Sequence, residues 1–66
     1  SMSGMDGIHL AYYIKEKYPS TQVILMTGDD KEVILSRIRD TAVDQALFKP
    51  FTLTEMNVKV QGLLHP

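Results

Sequence analysis

Gln22-Val23-Ile24-Leu25-Met26-Thr27-Gly28 carries the strongest structural signal in the chain. Val23 and Ile24 are β-branched and lead an unbroken apolar run, and such side chains suit a pleated strand better than a helix. The run is too short for an ordinary helix, and Gly28-Asp29-Asp30 ends it with turn-forming residues. A continuous apolar run, without alternation, is the pattern of a strand covered on both faces in a parallel sheet. We expect a strand over Gln22 to Met26, buried on both sides.

Helical patterns flank this strand. Upstream, Ile8, Ala11, Ile14 and Tyr18 recur at helical spacing and predict a helix over 7–18 with those residues inward. Asp6 is the expected N-cap, since its carboxylate can accept from the free amides of the first turn. Lys15, Glu16 and Lys17 form the solvated side, and Pro19 stops the helix because the residue before proline avoids the α region. Downstream, Asp29 or Asp30 caps a second helix over 31–40, with Val33, Ile34 and Ile38 as its apolar stripe and Glu32, Arg37, Arg39 and Asp40 around it.

Ala46-Leu47-Phe48 reads as a second strand, ended by Lys49-Pro50. Thr52-Leu53-Thr54-Glu55 has the spacing of a capping box, in which hydroxyl and carboxylate satisfy amides reciprocally. Leu53, Met56, Val60, Leu63 and Leu64 then mark the inward face of a last helix ending near His65-Pro66. The order helix-strand-helix-strand-helix, with no repeat or linker, predicts one α/β unit over 1–66: part of a doubly wound, flavodoxin-like fold with two parallel strands. Two strands alone leave an apolar edge at Val23 to Met26. We expect a second copy to cover that edge, giving a homodimer.

Composition narrows the functional classes. Hydrophobic residues make up 44% of the 66-residue chain, too many for a disordered tail. A net charge of −1 provides no basic footprint for nucleic acid. No apolar run approaches the roughly 20 residues of a membrane span. There is no cysteine, and His9 and His65 lie far apart, so neither a disulfide nor a zinc site is expected. Ser1-Met2 resembles a cloning remnant rather than a secretory signal, and with the lack of cysteine this points to the cytoplasm. Asp29-Asp30 fits helix capping better than an acid–base or metal pair. Tyr12, Tyr13 and Tyr18 fit a partner surface or core packing equally well. No nucleophile–base–acid set and no glycine-rich phosphate loop is present.

Met5-Asp6-Gly7, Val23-Ile24-Leu25-Met26-Thr27-Gly28 and Leu47-Phe48-Lys49-Pro50-Phe51 stand together in the order and spacing of the second half of a bacterial receiver domain. The chain resembles this CheY-like, phospho-accepting module of two-component response regulators over nearly its whole length. The resemblance implies that Thr27 hydrogen-bonds a phosphoryl oxygen, that Lys49 neutralises phosphoryl charge, and that Lys49-Pro50 is cis. Physically, a phosphoryl group needs a cation and an oriented donor, and ligands of open α/β sheets bind at the carboxyl ends of strands.

The resemblance also implies a phosphorylated aspartate a few residues before Met5-Asp6-Gly7, and a pair of acids that bind magnesium with it; we expect both to lie upstream of this chain. No phospho-acceptor, metal site, cofactor or enzymatic activity is then expected of the chain alone. In an intact parent it implies Mg2+ and a histidine kinase partner in phosphorelay signalling, with partner contacts shifting on the face of the fourth and fifth elements. Three positions depart from the family pattern: Ser3 stands for a proline, Ala42-Val43 for a Gly-Ala pair, and Ala46 for the aromatic residue that often reports phosphorylation. A left-handed cap at Ala42 would be strained, and no aromatic readout is expected. The alternatives are a self-associating interaction half-domain, or an engineered or proteolytic fragment.

Overall fold

The computed structural model describes residues 4–65. Ser1-Met2, Ser3 and Pro66 lie outside the described residues. The chain runs α1 (Gly4–Lys17), β1 (Ile24–Thr27), α2 (Lys31–Ile38), β2 (Gln45–Phe48) and α3 (Leu53–Leu64). β1 and β2 pair in parallel, with Ile24 beside Gln45 and Thr27 beside Phe48. This is the α/β order and the parallel sheet that the apolar runs predict.

One face of the sheet carries the core. Ile8 and Ala11 of α1, Leu25 of β1, Ile34 of α2, Val43 and Ala46 form one buried cluster. Gly7 lets α1 lie directly on β1, because a β-carbon there would collide with the Leu25 side chain. On the opposite face, alternation places Met26 and Leu47. Leu47 is buried, but Met26 is 46% exposed, so β1 is covered on one face rather than both. The expected two-sided burial fails because α3 packs on β2 and leaves the outer half of β1 bare. β1 has β2 as its one strand neighbour among the described residues.

Several boundaries move for identifiable reasons. α1 starts at Gly4, so Asp6 lies inside the first turn rather than at the N-cap; there its charge still favours the helix dipole. Tyr18 follows the helix end and is exposed, as are Tyr12 and Tyr13, so core packing does not account for the three tyrosines. In α2, Asp30 is the N-cap, accepting from Val33 N–H at 3.2 Å. That helix stops at Ile38, short of the expected residue 40. The left-handed residue of the turn is Asp40 (φ 59°), not Ala42, and an aspartate tolerates that conformation. Thr41 completes the turn: its hydroxyl donates to Ile38 O at 2.6 Å and accepts from Val43 N–H at 3.2 Å.

At α3 the Thr52 side chain accepts from Glu55 N–H at 3.0 Å. The reciprocal half of the capping box differs, since Thr52 Oγ1 also donates to Glu55 Oε1 at 3.2 Å. No residue of α3 is fully buried, and Leu53 is 77% exposed. The expected inward face of α3 is therefore only half covered, by Met56, Val60 and Leu63.

A polar clip fastens the other end of the sheet. Asp44 accepts from Val23 N–H at 2.7 Å and pairs with Lys15 Nζ at 2.7 Å, while its own N–H donates to Val23 O at 2.9 Å. Partial desolvation pushes the Asp44 carboxyl up. The Lys15 and Val23 hydrogen bonds and the Lys15 charge outweigh it and hold the carboxyl below its ordinary value. The stability from this clip is present above the unfolded carboxyl value of about 3.9 and is lost as pH falls through the lower folded value.

Ile34→Ala, at a 2% exposed site, costs about 2–5 kcal/mol in urea unfolding, whereas Val33→Ala, at a 46% exposed site, stays within about 0.5 kcal/mol. Asp44→Asn flattens the loss of stability on acidification below about pH 4, measured by urea midpoints across a pH series.

Candidate functional site

Parallel pairing builds the site. Thr27 and Phe48 are the last register partners of the ladder. Lys49 N–H then donates to Thr27 O at 2.8 Å and carries the pairing one step further. Thr27 and Lys49 thereby meet at the carboxyl edge of the two strands, where ligands of open α/β sheets bind. The Lys49–Pro50 peptide is cis.

The two side chains differ in setting. Thr27 is 5% exposed, and alternation puts it on the face of Leu25. Its Oγ1 accepts from Asp29 N–H at 3.0 Å. Among the described residues, its hydroxyl hydrogen has no acceptor. Lys49 is exposed, and among the described residues its ammonium makes no ion pair. A buried hydroxyl on one strand and an exposed cation just past the end of its neighbour form the pair of groups that an oxyanion needs.

α1 closes the other side of the site. Gly4 N–H, at the helix start, donates to Asp29 Oδ2 at 2.9 Å. A β-carbon at Gly4 would stand 2.8 Å from Asp29 Oδ2 and 3.6 Å from Thr27 Oγ1. The adjacent acids therefore part company, with Asp30 capping α2 and Asp29 reaching back to α1. Residue patterns did not reveal the Asp29–Gly4 link, which spans 25 positions. The available signal was two consecutive acids where one suffices for a cap.

These residues do not fit a magnesium ion by themselves. Among the described residues no group of three or more acids or histidines converges. The Asp29 and Asp30 carboxylates are both committed to backbone donors. Ala46, in place of an aromatic residue, is buried in the core beside Leu25 and Ile34. No described helix is long and apolar enough to cross a membrane.

The response regulator receiver domain model matches residues 1–61. The chain belongs to the response regulator receiver domain family, whose members act in phosphorelay signalling and meet histidine kinases. Searches of curated proteins and of solved structures returned no match.

The Thr27 hydroxyl also orders the turn that follows it. Thr27→Ser keeps the partner of Asp29 N–H and costs about 0.5–1.5 kcal/mol for the buried methyl it removes. Thr27→Val leaves Asp29 N–H without its partner and costs about 1 kcal/mol or more, read from urea unfolding of both variants.

Proposed function

We propose that Thr27 and Lys49 are the phosphoryl-binding residues of a receiver module, CheY-like in architecture, working in two-component phosphorelay signalling. The observation that carries this is their meeting at one strand edge, joined by the 2.8 Å bond from Lys49 N–H to Thr27 O. The acceptor aspartate and the magnesium-binding acids are not supplied by these residues, so the module does no phosphoryl chemistry on its own and is not an enzyme alone. In an intact receiver, magnesium supplies charge neutralisation, while Thr27 donates to the phosphoryl group and Lys49 balances its charge. The partner is a histidine kinase, and the setting is the cytoplasm.

Partner contacts fall on the groove between α2 and α3, beside the outer edge of β2. This groove holds about 470 Å³ and is lined in part by Lys31, Leu35, Phe48, Glu55, Val58 and Lys59. Lys31 Nζ lies 5.9 Å from the Phe48 ring centroid, which ties this surface to the residue paired with Thr27.

A second reading, self-association through β1, is favoured by one observation: β1 pairs with a single described strand, while its own residue Met26 is exposed. Unpaired strand edges favour pairing with another chain. Light scattering with circular dichroism over a concentration series tests it. A dimer whose helicity falls on dilution supports the reading, and a folded monomer at all concentrations overturns it.

The phosphoryl site is tested by NMR titration with inorganic phosphate. Shifts concentrate at Thr27, Gly28 and Lys49, and Thr27→Ala and Lys49→Ala each weaken binding several-fold. Shifts clustered elsewhere, or variants that titrate like the parent chain, contradict the assignment. Incubation with a small phosphodonor and magnesium leaves the mass of the chain unchanged. A stable added phosphate refutes the division of roles between these two residues and the acids of an intact receiver.

A further inference from the structure

We infer that the α3 side of the sheet is the contact face of a symmetric dimer, in which α3 of a second copy lies over β1. This rests on the self-association reading above and moves the contact from the open edge of β1 to its bare face.

The face is a slot with a floor and one wall. β1 is the floor: alternation puts Ile24 and Met26 on the side opposite Leu25, and Met26 is exposed there. α3 is the wall, because it packs on β2 and stands beside the bare half of β1. Towards the start of β1 the slot deepens into a cavity of about 400 Å³, lined by Ser20, Gln22, Ile24, Val60, Leu63 and Leu64. Leu53 lies within about 20° of Val60 and Leu64 around the axis of α3, so the apolar wall runs the length of the helix. Leu53 and Leu64, at its two ends, are both exposed.

Charge, shape and area select a second copy as the occupant. None of the residues lining the cavity is Lys, Arg, Asp or Glu. A contact about a two-fold axis sets like residues against one another, which an uncharged face accepts without repulsion. The groove on the other side of α3, by contrast, includes Lys31, Asp44, Glu55 and Lys59. The slot takes a helix with an apolar flank along its whole length, and α3 is such a helix. A compact monomer of 7.5 kDa exposes about 4,200 Å², whereas this chain exposes 4958 Å². The excess, about 700 Å², is close to the roughly 800 Å² that each partner buries in a standard interface.

A two-fold axis parallel to α3 lets both copies fill both slots. Each α3 then covers β2 of its own copy and β1 of the other, and the two α3 helices lie side by side, parallel and in register. Leu53, Val60 and Leu64 each meet their own counterparts across the axis.

The test is sedimentation velocity of the full 66-residue chain and its variants across a concentration series. The parent chain dimerises. Leu53→Lys, Leu64→Lys and Leu64→Glu each weaken dimerisation roughly tenfold or more, because each sets two like charges face to face. Mixing Leu64→Lys with Leu64→Glu in equal amounts restores the dimer, which variants that merely fail to fold would not do. Val58→Lys, on the groove side of α3, leaves dimerisation unchanged. If Leu53→Lys and Leu64→Lys dimerise as the parent chain does, the proposal is overturned. Hydrogen exchange then locates the contact. The Ile24 and Met26 amides point away from β2, since Val23 O and Thr27 O point towards it. Their protection on association would assign the contact to the strand edge and leave the self-association reading standing. If Val58→Lys breaks the dimer and Leu64→Lys does not, the groove is the interface and the proposal is likewise overturned. A chain that stays monomeric at all concentrations overturns both this proposal and that reading.

Discussion

The in-register parallel pairing of β1 and β2 governs both the core and the site. It opposes Leu25 to Ala46 in the core and Thr27 to Phe48 at the carboxyl edge. A slip of one residue would turn Leu25 toward the thin α3 face and carry the Thr27 side chain away from α1. Hydrophobic burial by Ile8, Ala11 and Ile34 against Leu25 and Ala46 fixes the register. That same register places Lys49 one step beyond Thr27, joined to it by a backbone hydrogen bond. Packing at one end of the ladder thus determines geometry at the other.

Acids reinforce the ladder at both ends. Asp44 holds the start of β1 through Val23 N–H and draws in Lys15 from the end of α1. Asp29 holds the start of α1 from the turn after β1. α1 is therefore tied near both termini to the strand it covers, and Gly7 permits close contact in between. Such ties matter in a chain this short, whose single core contributes little stability. The side facing α3 has no equivalent, and its helix is held by the half-buried residues Met56, Val60 and Leu63.

The strands, the three helices and their order were legible because each rests on local signals: the β-branched run at Val23-Ile24, the helical spacing of Ile8 and Ala11, and the threonine cap at Thr52. The placement of Thr27 and Lys49 at the ends of adjacent strands was legible through motifs, and the ladder accounts for their proximity. What sequence did not convey was tertiary. An apolar run shows that a strand has apolar faces, but not whether a neighbour covers both, and Met26 is the exposed result. Helical spacing likewise proposes a stripe on α2 without saying how wide the contact is. Ile34 is buried and Val33 is not. The links from Asp29 to Gly4 and from Asp44 to Lys15 and Val23 join residues distant in sequence, where local patterns are silent. Asp40 took the left-handed position because Thr41 could close the turn with its hydroxyl, a solution that does not need glycine at residue 42.

Everything proposed for the site requires that the end of the parallel ladder lock Thr27 and Lys49 side by side. Amide hydrogen exchange of Lys49, measured beside that of Leu47, tests this. The Lys49 amide should be protected to a degree comparable with Leu47, because its hydrogen is bonded to Thr27 O. Exchange of Lys49 at the unprotected rate, with Leu47 still protected, would show that the ladder stops short of the site and that the two residues are not held together.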